Sequence, residues 1–494
     1  MATEIAPGRP GNLTPEQEEK LRKLWQYIFQ VCAVGQEQSS SAENAPAAEA
    51  EKSQDADKKE KKSRMSLFSR KSKKDSDGAS SSGDSSAPPG ARVVLHLKDG
   101  DNDKYGQTKQ FYDTLASQSP QSIRDTIWSM IKHDNPDALV LRFLRARKWD
   151  VERALIMLVS TMSWRMSEMK VDDDIMRNGE GAAWAAEKNS EDANEKKLAH
   201  DFMTQIRKGI SYVHGVDKQG RPLCFVNVRL HRQGEQAEEA LERYTVYLIE
   251  TCRMLLQPPV DTATIVFDMT DFSLANMDYA PVKFMIKCFE ANYPESLGAV
   301  LVHKAPWIFQ GIWKVIRGWL DPVVANKVHF TNNAKEMEEF IPMKHIPKSL
   351  DGEEDWTYSY VEPTEDENAL MRDIATRDQM LAERAKLYRE YEEATLEWIR
   401  IAEEGGDQTE IKKKRDEIAE RLRVDYWKID PYLRARSYYD RIGVLQPGGR
   451  LNWYPEEKKA EQQQSQGNGA AEKVEAVVSA AAAESTTTSA QDLD

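Results

Sequence analysis

The sequence is poor in cysteine and has no long apolar run. Cys32, Cys224, Cys252 and Cys288 are the 4 cysteines in 494 residues, and no two form a CxxC pair. This spacing argues against a disulfide scaffold or a thiolate metal cluster, and predicts reduced, buried thiols. No apolar stretch approaches the roughly 18 residues that span a bilayer. The opening MATEIAPGRP has no hydrophobic signal core. The expectation is a cytoplasmic protein that associates peripherally with endomembranes such as endoplasmic reticulum, endosome or lipid droplet. Positive charge is in deficit, 68 Lys+Arg against 82 Asp+Glu, for a net charge of −14. Phosphate backbones favour a net basic face, so nucleic acid is not expected as a partner.

Catalytic signatures are also missing. GxxxxGK[ST], GxGxxG, GxSxG and HExxH do not occur, and the 8 histidines have no metal spacing. Asp268 and Asp271 frame DMTD, but aspartate at a strand end more often caps the next turn. His303-Lys304 has no matching nucleophile. An enzyme is not expected, and neither is a metal or a cofactor other than a bound lipid.

What is present falls into seven stretches. Residues 1–35 hold an amphipathic docking helix. Thr14 is its N-cap, Gln17 completes a capping box, and Leu21, Leu24, Trp25 and Ile28 share one face. Residues 36–91 are Ser-, Ala-, Glu- and Lys-rich and predict a disordered linker. Within it, KKEKKSRMSLFSRKSKK (58–74) is a basic island with interleaved serines, suited to an anionic membrane surface or simply to solvent. Residues 110–177 predict a helical bundle, and 178–199 a loop or short helix. Strands alternate with helices from 201 to 362, which predicts an α/β domain with a mainly parallel sheet. Residues 365–445 predict a helical extension. Its hairpin has Leu370, Ile374 and Leu381 on one side of the first helix and Ile411, Ile418 and Leu422 on one side of the second. It would pack on the domain or bind a protein partner. Residues 456–494 predict a disordered tail.

The chain is organised around 291–330. Here Trp307, Phe309, Ile312, Trp313, Ile316 and Leu320 lie between Glu295 and Lys327. A helix so rich in apolar side chains is either deep core or the wall of a greasy cavity. Few charges fall among these apolar segments: Arg147, Lys148, Glu295 and Lys327. Cations beside one carboxylate suit a phosphorylated polyol headgroup.

Five motifs in order carry a resemblance: LRFLRARKWDVERAL (141–155), DKQGRPLCFVNV (217–228), TIVFDMTDFSL (264–274), NYPESLGAVLVHKAPWIF (292–309) and WLDPVVANKVHF (319–330). Together they resemble the CRAL-TRIO lipid-binding family, and within it the fungal phosphatidylinositol-transfer proteins of the secretory-fourteen type. The resemblance covers about half the chain, through 110–177 and 201–362. It implies a hydrophobic pocket gated by a mobile helix at 306–320, and phosphatidylinositol as the chief ligand. It places Arg147 and Lys148 at the lipid phosphate, and Glu295 and Lys327 at the inositol headgroup. Two positions depart from the family pattern: Ser296 stands for its arginine and Val324 for its threonine. In members that also carry phosphatidylcholine, tyrosines and hydroxyls hold the second headgroup. Here those positions are Val213, Cys224 and Ala275, with Ser273 alone keeping a hydroxyl. Phosphatidylcholine is therefore expected to bind poorly, leaving room for a sterol or squalene-like lipid. The resemblance implies non-catalytic lipid exchange between membranes, in support of phospholipid homeostasis and trafficking. A lipid-sensing scaffold that recruits a lipid kinase or GTPase regulator is the alternative.

Overall fold

The computed structural model describes residues 5–34, 95 and 103–454. The basic island, the linker at 36–91 and the tail at 456–494 lie outside the described residues. Helix α1 (Pro15–Val31) starts at Thr14, whose hydroxyl accepts from the Gln17 amide while the Gln17 side chain accepts from the Thr14 amide. Its apolar face, Leu21, Leu24, Trp25 and Ile28, is buried. That face docks on a bundle of α2 (Gln107–Ser117), α3 (Pro120–Ile131), α4 (Pro136–Ala146) and α5 (Val151–Ser163). Ser119, Asn135 and Asp150 cap the last three, each accepting from a first-turn amide.

The stretch expected to be a loop or short helix is instead two helices, α6 (Arg177–Asn189) and α7 (Ala193–Lys208). Its polarity misled because only one side of it is covered. Phe202, Met203 and Ile206 are buried, while α6 is mostly half-buried and fully buries only Gly179 and Glu180.

Five strands then form one sheet in the order β1 (Ser211–Val216), β2 (Pro222–Asn227), β3 (Ala263–Asp268), β4 (Leu297–His303), β5 (Val328–Thr331). The first pair is antiparallel and the other three are parallel. The crossovers contain α8 (Glu238–Met254), α9 (Tyr279–Lys287), α10 (Phe309–Arg317) and α11 (Pro322–Ala325). Alternation along the strands separates two faces. Leu223, Phe225, Val266 and Leu301 pack under α12 (Ala334–Met337) and the turns that follow it, through Leu350. Val226, Ile265, Phe267, Val300 and Val302 face the other way and line a cavity.

The extension is an antiparallel hairpin of α13 (Ile374–Glu403) and α14 (Thr409–Leu433), joined across Gly405-Gly406. Ile411, Ile418 and Leu422 are buried as expected. On α13 the expected stripe is wrong: Ile374 and Leu381 are exposed, and Leu370 is exposed in a separate short turn. The buried side of α13 is Arg384, Tyr391, Ala394, Thr395 and Trp398. It packs on this chain's own α1, α3 and α4, where Trp25 touches Tyr391 and Arg124 bonds Glu392 at 3.0 Å. Beyond α14, the Tyr439 and Tyr454 hydroxyls accept from the Val213 and Val216 amides at 2.6 and 3.1 Å. The free edge of β1 is thereby covered.

Buried charge is more plentiful than the four residues singled out from sequence. Glu250, fully buried, bonds Arg165 and Arg253, and both guanidiniums continue to Asp172 and Asp134. These groups were missed because they come from separate stretches of the chain, α8, the turns after α5 and the turn after α3, that only the fold brings together. Burial pushes the Glu250 carboxyl up, but Arg165 and Arg253 outweigh it and hold the group well below the usual carboxylate range.

Candidate functional site

β4 and β5 are adjacent and parallel, and their first residues follow Glu295 and Lys327 closely. The turn between α4 and α5 brings Arg147 and Lys148 to the same place. All four line one cleft of about 830 Å³ at the amino ends of the parallel strands. Lys148, its neighbour Trp149, and Glu295 hold left-handed backbone, with φ of 52°, 66° and 54°. Non-glycine residues seldom adopt that conformation, and where they do they often sit at functional sites.

The cations in this cleft have little to hold. Among the described residues Arg147, Lys148 and Lys327 form no ion pair. Arg147 donates to the Gln107 side-chain oxygen at 2.6 Å, and Lys327 donates to the Leu297 carbonyl at 2.8 Å. Burial pushes the Arg147 guanidinium below its ordinary range and Arg153 adds to this, while Asp103, Asp321 and Glu290 only partly oppose it, so an anion in the cleft would further favour the charged form. Arg145, on the same wall, is already committed. It bonds Asp261 at 3.0 Å and the Gly8 carbonyl at 2.8 Å. Glu295 is engaged through its carbonyl, which accepts from Arg142 at 2.9 Å.

A strap the sequence did not reveal crosses this cleft. Lys104 donates to Glu290 at 2.7 Å and to the Trp319 carbonyl at 2.6 Å. The Tyr105 hydroxyl and the Asp321 amide also donate to Glu290, at 2.6 and 2.7 Å. Glu290 belongs to a π-helical turn one step before the Tyr293-Pro294 corner, where it looks like an ordinary exposed helix charge. The strap ties the end of the α10 segment to the rest of the molecule.

Phe289, Glu290, Leu297 and Val324 line both the cleft and an apolar cavity of about 230 Å³. Its floor is the sheet, its back is α8 and α9, and its outer wall is α10. Phe309, Trp313, Ile316 and Leu320 line it at helical spacing, and Ile312 is buried beside Met269 and Val302. The helix is shorter than the expected 306–320, because Pro306 and Trp307 form a separate turn ahead of it. Trp307 is therefore not a wall residue, being 87% exposed on the outer surface. Of the three second-ligand positions, Cys224 lines a smaller void of about 80 Å³ joined to the cavity floor. Val213 is packed under the extension, and Ser273 only caps a short turn through Asn276. Neither lines the cavity. Asp268 accepts from the Thr270 amide at 3.0 Å, the capping role expected from sequence. Among the described residues no cluster of three metal-ligating side chains occurs, and no helix is long and apolar enough to cross a membrane.

Two family models match the chain: "CRAL/TRIO, N-terminal domain" over residues 107–160 and "CRAL/TRIO domain" over 206–352. A CRAL-TRIO domain-containing protein of Schizosaccharomyces pombe is 38% identical over 89% of this chain and 93% of its own. The chain belongs to the CRAL-TRIO family. Within that family, the phosphatidylinositol transfer protein CSR1 of Eremothecium gossypii is 37% identical over 90% of this chain and 100% of its own. The Sec14 cytosolic factor of S. pombe is 26% identical over 44% of this chain and 74% of its own. The first two CRAL-TRIO relatives thus match far more of the chain than the α/β domain alone, whereas the third matches less than half of it.

Proposed function

We propose that this protein binds phosphatidylinositol and moves it between membranes without chemistry. The observation that carries this is the joining of a cleft holding unpaired Arg147, Lys148 and Lys327 beside Glu295 to a greasy cavity. An anionic phosphate and a polyol suit the cleft. Each acyl CH₂ buried in the cavity contributes about 0.8 kcal/mol. The similarity to a phosphatidylinositol transfer protein over nearly the whole chain supports the same ligand. Helix α10 is the gate: its inner side closes the cavity, and its end is released when the Lys104–Glu290 strap lets go.

The outside of the gate is suited to a membrane surface. Trp307, Ile308 and Val315 are exposed there, and Lys314 and Arg317 flank them in water. Apolar side chains rimmed by cations favour an anionic interface. Trp307→Ser is expected to weaken binding to anionic vesicles about tenfold, in line with losing one partly inserted indole. Its thermal midpoint should match the parent's, because the side chain is almost wholly in water. Equal vesicle affinity would remove Trp307 from the membrane face.

The test of the function is exchange of labelled phosphatidylinositol from donor to acceptor vesicles by the full chain. Transfer well above the spontaneous rate is expected. No transfer, with a different lipid co-purifying, would overturn the reading.

A further inference from the structure

An uncharged residue aims one of the cations in the cleft. Arg147 stands in the turn between α4 and α5, half-buried, on a long side chain with many rotamers. Its guanidinium is fixed by one bond, in which Nη2 donates to the Gln107 side-chain oxygen at 2.6 Å. Among the described residues no other acceptor bonds the Arg147 side chain. Its remaining N–H groups are left for a ligand.

Gln107 is itself held in place. It is the first residue of α2 and is buried. Its amide and that of Thr108 donate to the Asp103 carboxylate, at 2.7 and 2.9 Å. Its side-chain NH₂ donates to the Ala291 carbonyl at 3.1 Å. A carbonyl only accepts, and a guanidinium only donates, so the carboxamide cannot turn over without losing both bonds. The Ala291 carbonyl is pinned in turn by the buried Thr161 hydroxyl, which donates to it at 3.1 Å. Ala291 lies in the π-helical turn just ahead of Tyr293 and Pro294. The start of α2, the middle of α5 and this turn thus converge to present one oxygen to Arg147.

The neutrality of that oxygen matters. A carboxylate at this place would pair with Arg147, and a phosphate would then have to displace a charged partner. An amide oxygen orders the guanidinium and leaves its charge available. Arg145, two residues earlier, shows the other arrangement: Asp261 pairs with it at 3.0 Å, and it serves the fold. A long cationic side chain that is ordered before the ligand arrives does not lose that freedom on binding, which strengthens the complex.

We propose that Gln107 is a positioning residue for the lipid phosphate: it orders Arg147 without neutralising it, and so sets the affinity for a lipid that carries a phosphate in the cleft. The proposal rests on the lipid-carrier reading, and the experiment separates the two.

The full chain is loaded from donor vesicles containing increasing fractions of labelled phosphatidylinositol, and the fraction that gives half-maximal loading is read. Gln107→Met keeps the bulk of the buried side chain and removes the acceptor, while Thr161 still satisfies the Ala291 carbonyl. It should raise the half-maximal fraction about two- to tenfold, the effect of ordering one long side chain on binding. Arg147→Met should raise it too, and adding Gln107→Met to Arg147→Met should change nothing further. A merely structural role would raise it by the same factor in both backgrounds. Gln107→Glu gives Arg147 a charged partner and should raise the fraction more than Gln107→Met does. Equal factors in the two backgrounds overturn the proposal, as does parental loading by Gln107→Met or a milder effect of Gln107→Glu. If Gln107→Met does not fold, Gln107→Glu decides alone, and parental loading by it overturns the proposal. Impaired loading by Arg147→Met with no effect at Gln107 sinks only the positioning role. Parental loading by Arg147→Met removes that arginine from the phosphate and the proposal with it, and no loading of the parent sinks the carrier reading.

Discussion

Lys327→Ala is expected to lower phosphatidylinositol transfer by about ten- to a hundredfold, corresponding to one charge-assisted hydrogen bond of roughly 1.5–3 kcal/mol. Folding should be unaffected. The ammonium is bonded only to the Leu297 carbonyl, at the edge of an open cleft, and that carbonyl can turn to water when the lysine is gone. Glu295→Gln should act in the same direction, because an amide accepts less strongly from inositol hydroxyls than a carboxylate does. It keeps the carbonyl bonded to Arg142 and the left-handed backbone. Arg145→Ala provides the contrast. Its guanidinium ties the Gly8 turn and Asp261 together, so its loss should lower the unfolding midpoint as well as transfer. The comparison is made with labelled lipid between vesicles and by thermal unfolding of each variant. Normal transfer by both Lys327→Ala and Glu295→Gln would remove the headgroup from this cleft.

Arg415→Ala is expected to cost about 3–5 kcal/mol of stability, the usual penalty for removing one partner of a buried pair. Arg415 is 4% exposed and grips Asp137 with two nitrogens, at 2.8 and 2.9 Å. It also donates to Thr395 and Tyr391, and its plane lies 4.2 Å from the Trp398 ring centroid. After the change, Asp137 keeps the Trp25 indole as a donor at 2.7 Å and has no cation. Lysine would not rescue it, because a point charge cannot reproduce the two-pronged grip. Removing both charges should recover much of the loss, since the cost comes from the stranded carboxylate. Denaturant midpoints of Arg415→Ala, of Asp137→Leu and of the double variant test this as a cycle. Additive losses would mean that the pair is not coupled.

Arg415 also shows where the sequence could be read and where it could not. It stands in KKKRDEIAERL, which looks like a solvated helix face. The hairpin was visible because Gly405-Gly406 interrupts two long helical stretches. The side of α13 that packs was not, because a search for aliphatic periodicity passes over a stripe made of arginine, tyrosine, threonine and tryptophan. The alternation of strands and helices between 201 and 362 was legible, the short β-branched runs being bounded by turns and by helical spacing. The placement of Arg147, Lys148, Glu295 and Lys327 came from resemblance to a family, and the fold brings all four to one cleft. Nothing in local spacing could join residues 147 and 327. The strap from Lys104 was hidden for the same reason: it joins the segment before α2 to a helical turn 186 residues later. Trp307 was misassigned because the helix starts only at Phe309, and a Trp in an apolar run does not reveal that it belongs to the turn before it.

The sealing of the β1 edge bears on what can be cut from this protein. The matched α/β unit ends at residue 352, whereas the tyrosines that satisfy Val213 and Val216 come from residues 439 and 454. A fragment ending with the unit would present two unmet donors on an extended strand, beside the apolar surface now under Tyr438 and Tyr439. Such an edge recruits strands from other molecules. The lipid chamber here is accordingly no detachable cassette: transplanting it, or comparing it with shorter relatives piece by piece, requires carrying residues 353–454 along.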